Sequence, residues 1–191
     1  TIVGYLFYKG FSYISFDFIF GDYSPVGGGG IFPMIVTTIY TIIISLIIAT
    51  PIGILAAVYL QEYAKQGRLV RIIRYATESL TGIPSIIYGL FGAVFFVAIL
   101  KLGMSIIAAS LTLTIIVLPV IIRTTEEALK TVPASYREGS LALGTTKLQT
   151  LYKVILPSAM PGILSGIILS IGRIVGESAA IFLTAGTVAA M

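Results

Sequence analysis

The sequence predicts an all-α polytopic membrane protein, and three observations carry that fold class. First, 57% of its 191 residues are hydrophobic and only 10% charged, against roughly 25% charged in a soluble domain. The 12 basic and 8 acidic residues cannot dress the surface that a soluble fold of this size would expose to water. Second, the charges punctuate the chain and leave uncharged runs at 23–61, 79–100, 102–122 and 154–172, of 39, 22, 21 and 19 residues. Each is close to or beyond the about 20 residues with which a helix crosses a hydrocarbon core of about 30 Å. Third, the basic residues sit in short segments between those runs. That is the pattern of membrane topology and not of a nucleic-acid surface, despite the net charge of +4.

The sequence contains no Cys and no His. Disulfides, thiolate nucleophiles and Cys-ligated zinc are excluded, as are histidine triads, HExxH sites and haem held by His. No metal centre and no nucleic-acid partner are expected.

In chain order, residues 1–20 are apolar and aromatic but interrupted by Lys9, Gly10 and Asp17. They lack the basic start and small-residue cleavage site of a signal peptide, and read as the outer end of a membrane helix. The run 174–191 is apolar to its last residue, so both ends read as truncated within a single permease-like domain covering 1–191. A turn-rich stretch, Ser24-Pro25-Val26 followed by four glycines at 27–30, precedes a helix expected at about 33–60, long enough to tilt or to kink at Pro51. The next three runs supply three further spans.

Orientation follows from the loops. Segment 61–78 carries Lys65, Arg68, Arg71 and Arg74, and segment 123–153 carries Arg123, Lys130, Arg137, Lys147 and Lys153. By the positive-inside rule both are cytoplasmic, leaving 21–30 and the turn around Lys101 outside. Arg68, Arg71 and Arg74 recur at threes and predict a basic face on a short helix resting against acidic head groups. Arg74 and Glu78, at i and i+4, are spaced to pair. Glu126 and Glu127 point about 100° apart and form no acid–base couple.

Small residues recur at every fourth position in two rows, Ser45, Ala49, Gly53, Ala57 and Ser158, Gly162, Gly166, Ser170, with a further row at Gly172, Gly176 and Ala180. Such rows let helix backbones approach closely in lipid.

No nucleotide site is present in the pattern. Residues 139–146 have the glycine spacing of a phosphate loop but put Thr145 where the phosphate-binding Lys belongs, and no strand precedes them. If the protein does energised work, another chain binds the ATP. The same segment is informative in another way. From Val132 it reads VPASYREGSLALGTTKLQTLYKVILPSAMPG. Pro133 suits the first turn of a helix and Gly144 its C-terminal cap, with a second helix beginning near Thr145 or Thr146.

The spacing of Glu138, Gly144 six residues on, and then Leu156-Pro157 resembles the EAA loop of the membrane subunits of binding-protein-dependent ABC importers. The resemblance implies that the loop, with Tyr136, Arg137, Glu138, Gly139, Ser140, Gly144, Leu156 and Pro157, docks as a coupling helix on an ATPase subunit. Gly139 and Ser140 replace the two alanines usual there, and Val154 an Ile. The stretches GGGGIFPMIVTTIYT, TPIGILAAVYLQEYA, LTGIPSIIYGLFG and GRIVGESAAIFLTAG resemble the A-type permease family of phosphate-specific importers. That likeness implies a bundle of six spanning helices, of which this chain holds the end of the first and all of the second to fifth. It also implies a C-type permease partner, two ATPase subunits that hold ATP and Mg, an external phosphate-binding protein and the inner membrane of a bacterial or archaeal cell. No cofactor is bound by this chain itself.

Arg173 and Glu177 lie at i and i+4 in an otherwise apolar stretch. A charge at the centre of a membrane helix costs about 2.5–3.5 kcal/mol on insertion scales, so it pairs or lines a pathway. Arg173, with its planar fork, is the candidate to meet an oxyanion; the alternative is a snorkelling Arg paired to Glu177. Pro157 and Pro161 are expected to delay this helix until about Pro161, which would put Arg173 about 18 Å into it at about 1.5 Å per residue. The same architecture carrying another solute, a secondary transporter, a channel or a structural assembly subunit remain the rival readings.

Overall fold

The computed structural model describes residues 2–24 and 29–186, and among these every regular element is helical. Gly27 and Gly28 of the glycine-rich loop lie outside the described residues, as does the end of the 174–191 run.

Two short helices, α1 (Ile2–Gly10) and α2 (Phe16–Phe20), open the chain without a buried residue. Helix α3 (Phe32–Val58) starts with proline in its first turn and runs unbroken through Pro51 into a π turn, Tyr59–Tyr63. Helix α4 (Arg68–Thr81) follows, then α5 (Ser85–Gly92) with its π continuation Ala93–Ile99, and α6 (Ile106–Thr131). Ser105 caps α6 by accepting the N–H of Ala108 at 3.2 Å. Helix α7 (Ala134–Ala142) leads to α8 (Lys147–Thr150), a π turn (Leu151–Ile155), α9 (Leu156–Val175) and α10 (Ala179–Ala185).

Helix α6 is the axis of the bundle, buried along most of its length from Ala108 to Leu129. The two principal rows of small residues explain how its neighbours reach it. Ser45, Ala49, Gly53 and Ala57 are all buried on α3, and a Cβ on Gly53 would lie 2.7 Å from the Ile121 side chain. On α9, a Cβ on Gly166 would stand 2.1 Å from Thr124 Oγ1. The α3 row and, on α9, Gly162, Gly166 and Ser170 are therefore seams within this chain, while Ser158 is exposed; there close backbone approach replaces the hydrophobic drive that lipid cannot supply. Gly172, by contrast, faces open space. Hydroxyls join the first seam: Ser45 Oγ donates to the Ser110 carbonyl at 3.0 Å, and Thr114 Oγ1 to the Ser45 carbonyl at 3.4 Å.

Among the described residues, three helices are long and apolar enough to cross a membrane: Phe32–Tyr63, Ile106–Thr131 and Lys147–Val175. The fourth expected span, 79–100, is not a straight helix. Its first residues finish α4, and the chain then bends by 97° into α5. Gly82 ends α4, while Pro84 has no N–H to continue it and drives Ile83 away from helical geometry. The Tyr88 hydroxyl donates to the Leu80 carbonyl at 2.7 Å and fastens the bend.

The prolines of the last span act differently from the expectation. The helix is continuous from Lys147 to Val175 and does not wait for Pro161. The π turn just before Pro157 shifts the hydrogen-bond register, the kind of local adjustment by which membrane helices absorb proline.

Candidate functional site

Two clusters of charge occupy different levels of the bundle. The first lies where the two basic segments meet at one end of the helices. Arg74 does not pair with Glu78; its Nε donates to Glu126 Oε1 on α6 at 3.0 Å, and its other nitrogens reach Gln61, Gln66 and the Leu60 carbonyl. Glu78 instead meets Arg123 at 2.8 Å, and Arg123 also meets Glu127 at 3.4 Å. The i, i+4 spacing of Arg74 and Glu78 lost to partners on α6 because Val70, on the same side of α4, is buried and turns that side toward the bundle. Arg68 and Arg71 remain exposed.

At the same end, α7 is built much as its capping residues require. Pro133 precedes its first turn, and Gly144 adopts φ +81°, a left-handed geometry that a side chain resists. Thr146 then caps α8 with a full capping box through Gln149. Ser140 is buried, its hydroxyl 2.8 Å from Thr145 Oγ1 and 3.0 Å from Thr150 Oγ1, which are themselves 2.8 Å apart. This triangle of hydroxyls closes the turn between α7 and α8. Ser140 thus does more than stay small; the sequence suggested Thr145 only as a possible helix start, and nothing in it singled out Thr150.

Arg137 is drawn inward. It donates through Nη2 and Nε to Glu62 Oε1 at 2.7 and 3.3 Å, and to the carbonyls of Val132 and Leu129 at 3.0 and 3.1 Å. Lys147 lies over the Tyr63 ring, 4.8 Å from its centre, and donates to the Glu62 carbonyl. Tyr136, Glu138 and Gly139 stay on the surface, as do Leu141, Leu143, Leu148 and Tyr152; Leu143 is 86% and Tyr152 76% exposed. Leu156 is half-buried and Pro157 exposed at the start of α9.

The second cluster is Arg173, in the last turn of α9. Gly162 packs on Ala128 and Gly166 on Thr124, and the same antiparallel register sets Arg173 level with Val117. That is roughly 17 Å from the Ile106 end of α6 at about 1.5 Å per residue, close to its middle. The first turns of the 147–175 helix belong to the α7 end, which is why a helix that starts early still brings Arg173 to this level. Glu177 is not one turn above Arg173 on the same helix, because α9 stops at Val175 and Gly176. Its carboxylate turns to α10 and accepts the N–H of Ala180 at 3.2 Å. Arg173 is half-buried and, among the described residues, has no ion pair. The pairing alternative for Arg173 and Glu177 is therefore corrected.

These features can be set beside known proteins. The family described as binding-protein-dependent transport system inner membrane component matches residues 49–190. A probable ABC transporter permease protein, YqgI of Bacillus subtilis, is 39% identical over 97% of this chain and 63% of its own length. The phosphate transport system permease protein PstA 1 of Mycobacterium tuberculosis is 40% identical over 83% of this chain and 52% of its own. The chain thus spans between about half and two thirds of these relatives' length. Among solved structures, an inward-facing MetNI methionine ABC transporter superposes with a TM-score of 0.64 at 28% identity, covering 79% of this chain and 70% of that one. The chain belongs to the family of binding-protein-dependent transport system inner membrane components.

Proposed function

We propose that this chain is the membrane-spanning permease subunit of an ATP-driven phosphate importer and forms its translocation pathway by alternating access. The observation that carries the reading is the α7 surface. Its inner side is locked by Ser140, Arg137 and the Gly144 cap, while Tyr136, Glu138, Leu141 and Leu143, spread around the rest of its surface and its end, are exposed. A rigid helix with exposed apolar side chains is suited to be gripped by another chain, here the ATPase subunit that holds ATP and Mg. Two such ATPases, a C-type permease partner and an external phosphate-binding protein complete the assembly, with the α7 end in the cytoplasm.

Phosphate is favoured as cargo by the relatives that bear a phosphate transport name and by Arg173. An arginine without a carboxylate partner at mid-bundle suits a doubly charged oxyanion, which its planar fork can bind through two donors. Glu177, engaged at the start of α10, leaves the guanidinium uncompensated. The methionine transporter has the same architecture at lower identity, and supports a permease for another solute as the second reading.

The test is to purify the complex from membranes with its partner subunits and reconstitute it in vesicles. ATP-dependent phosphate uptake, with ATP hydrolysis stimulated by the phosphate-loaded binding protein, is the expected result. Hydrolysis stimulated only by another loaded binding protein would assign a different cargo. Flux through the chain without any ATPase would make it a channel or secondary transporter.

A further inference from the structure

Segment 59–66 joins the end of α3 to everything that surrounds it. Glu62 receives Arg137 of α7, and its side chain is only 10% exposed. The Glu62 carbonyl receives Lys147 at the start of α8, whose ammonium also covers Tyr63. On the other side, Leu60, Gln61 and Gln66 receive Arg74, which holds Glu126. Arg137 is held further through Nη1 by the carbonyl of Val132, the residue that follows α6, and through Nη2 by that of Leu129 near the end of α6, so its guanidinium cannot swing away from Glu62 without giving up four hydrogen bonds together.

We propose that the Glu62–Arg137 pair is the strut through which movement of α7 reaches α3. The proposal rests on the reading of α7 as the ATPase dock. It makes Glu62 a positioning residue, acting on neither phosphate nor ATP. The physical reason is stiffness. Pushing α7 by an ångström would stretch a 2.7 Å charge-assisted bond that is largely shielded from water, and such bonds resist stretching more than apolar contacts do. Because α3 packs along α6 through small residues, it can tilt as a rod once its end is moved.

The test compares phosphate moved per ATP hydrolysed in reconstituted complexes of wild type, Glu62→Gln, Arg137→Gln and the double variant. Wild-type vesicles come first: absence of ATP-driven uptake there would sink the underlying reading and not the strut. If the strut is right, Glu62→Gln assembles normally and hydrolyses ATP near the wild-type rate. Phosphate moved per ATP falls about tenfold, equivalent to roughly 1.4 kcal/mol. The double variant is then no worse than either single one, as expected for two residues acting as one unit. An unchanged ratio, a parallel fall of hydrolysis and uptake in complexes that assemble normally, or additive losses in the double variant would each overturn it. Should Glu62→Gln fail to assemble, Glu62→Asp keeps the charge on a shorter arm. A lowered ratio at normal assembly then supports the strut, and an unchanged one overturns it.

Discussion

Arg137 and Arg173 both stood out in the sequence as arginines that something should bind, yet the molecule treats them in opposite ways. Arg137 donates four hydrogen bonds to its own chain, whereas Arg173, level with the middle of α6, has no carboxylate within ion-pair distance among the described residues. The difference tracks the surroundings. At the α7 end the chain supplies acids, with Glu62, Glu78, Glu126 and Glu127 each answering a specific arginine. Near Arg173 the one acid close in sequence, Glu177, is committed to the backbone of α10. A paired arginine transmits force and fixes geometry. An unpaired one is left to complete its coordination with something that the chain does not contain.

The sharpest way to break this comparison is to neutralise Arg173. Arg173→Gln should leave the complex assembled, since no partner is orphaned, while phosphate uptake falls by at least about a hundredfold, or roughly 2.7 kcal/mol of lost stabilisation along the pathway. Uptake in vesicles, measured beside the quantity of intact complex, reads both. Uptake near the wild-type level would return Arg173 to a structural role and remove the contrast.

The opposite behaviour is expected of Arg74. Arg74→Gln strips the partner from Glu126, whose side chain is only 8% exposed. Leaving a buried carboxylate unpaired costs about 3–5 kcal/mol in a closed site. Arg74 is itself 31% exposed, so water offsets much of this, and a loss of about 1–2 kcal/mol is expected. Thermal denaturation in detergent should therefore show a lower midpoint for this variant than for Arg173→Gln. The reverse order would mean that the ion pairs of the α7 end are dispensable.

What could be read beforehand follows the range of the interaction concerned. The membrane class and the α7–α8 turn were legible because they depend on local composition and local backbone chemistry: Pro133, Gly144 and the Thr146 cap act within a few residues. The row of small residues on α3 was legible as a packing surface, and only the partner, α6, was missing. Illegible were features decided between distant segments. Spacing alone paired Arg74 with Glu78, because nothing in one helix reveals that Glu126, 52 residues away, competes better. Proline at 157 and 161 suggested a late start to α9, but a π turn lies just ahead of Pro157 and the helix runs on through Pro161. The uncharged run 79–100 suggested a single straight span, and the Gly82 and Pro84 breakers inside it proved stronger than its apolar length. Glu62 drew no attention at all, as a lone acid at the end of an apolar helix looks like a solvated one until Arg137 is folded onto it.

The weakest effect in the comparison is expected at Glu127, and it marks where the paired end ceases to matter. Glu127 meets Arg123 at 3.4 Å with its own side chain 62% exposed, and Arg123 already holds Glu78 at 2.8 Å. An exposed i, i+4 pair contributes at most about 0.5 kcal/mol and is screened by salt. Glu127→Gln should therefore shift the denaturation midpoint by less than the scatter between preparations, at low and high salt alike, and leave uptake unchanged. A measurable loss at low salt that disappears at high salt would show that Arg123, Glu78 and Glu127 act as one network. In that case the ties between α4 and α6 extend to the surface, and the boundary between the force-bearing arginines and the solvated ones moves outward by one residue.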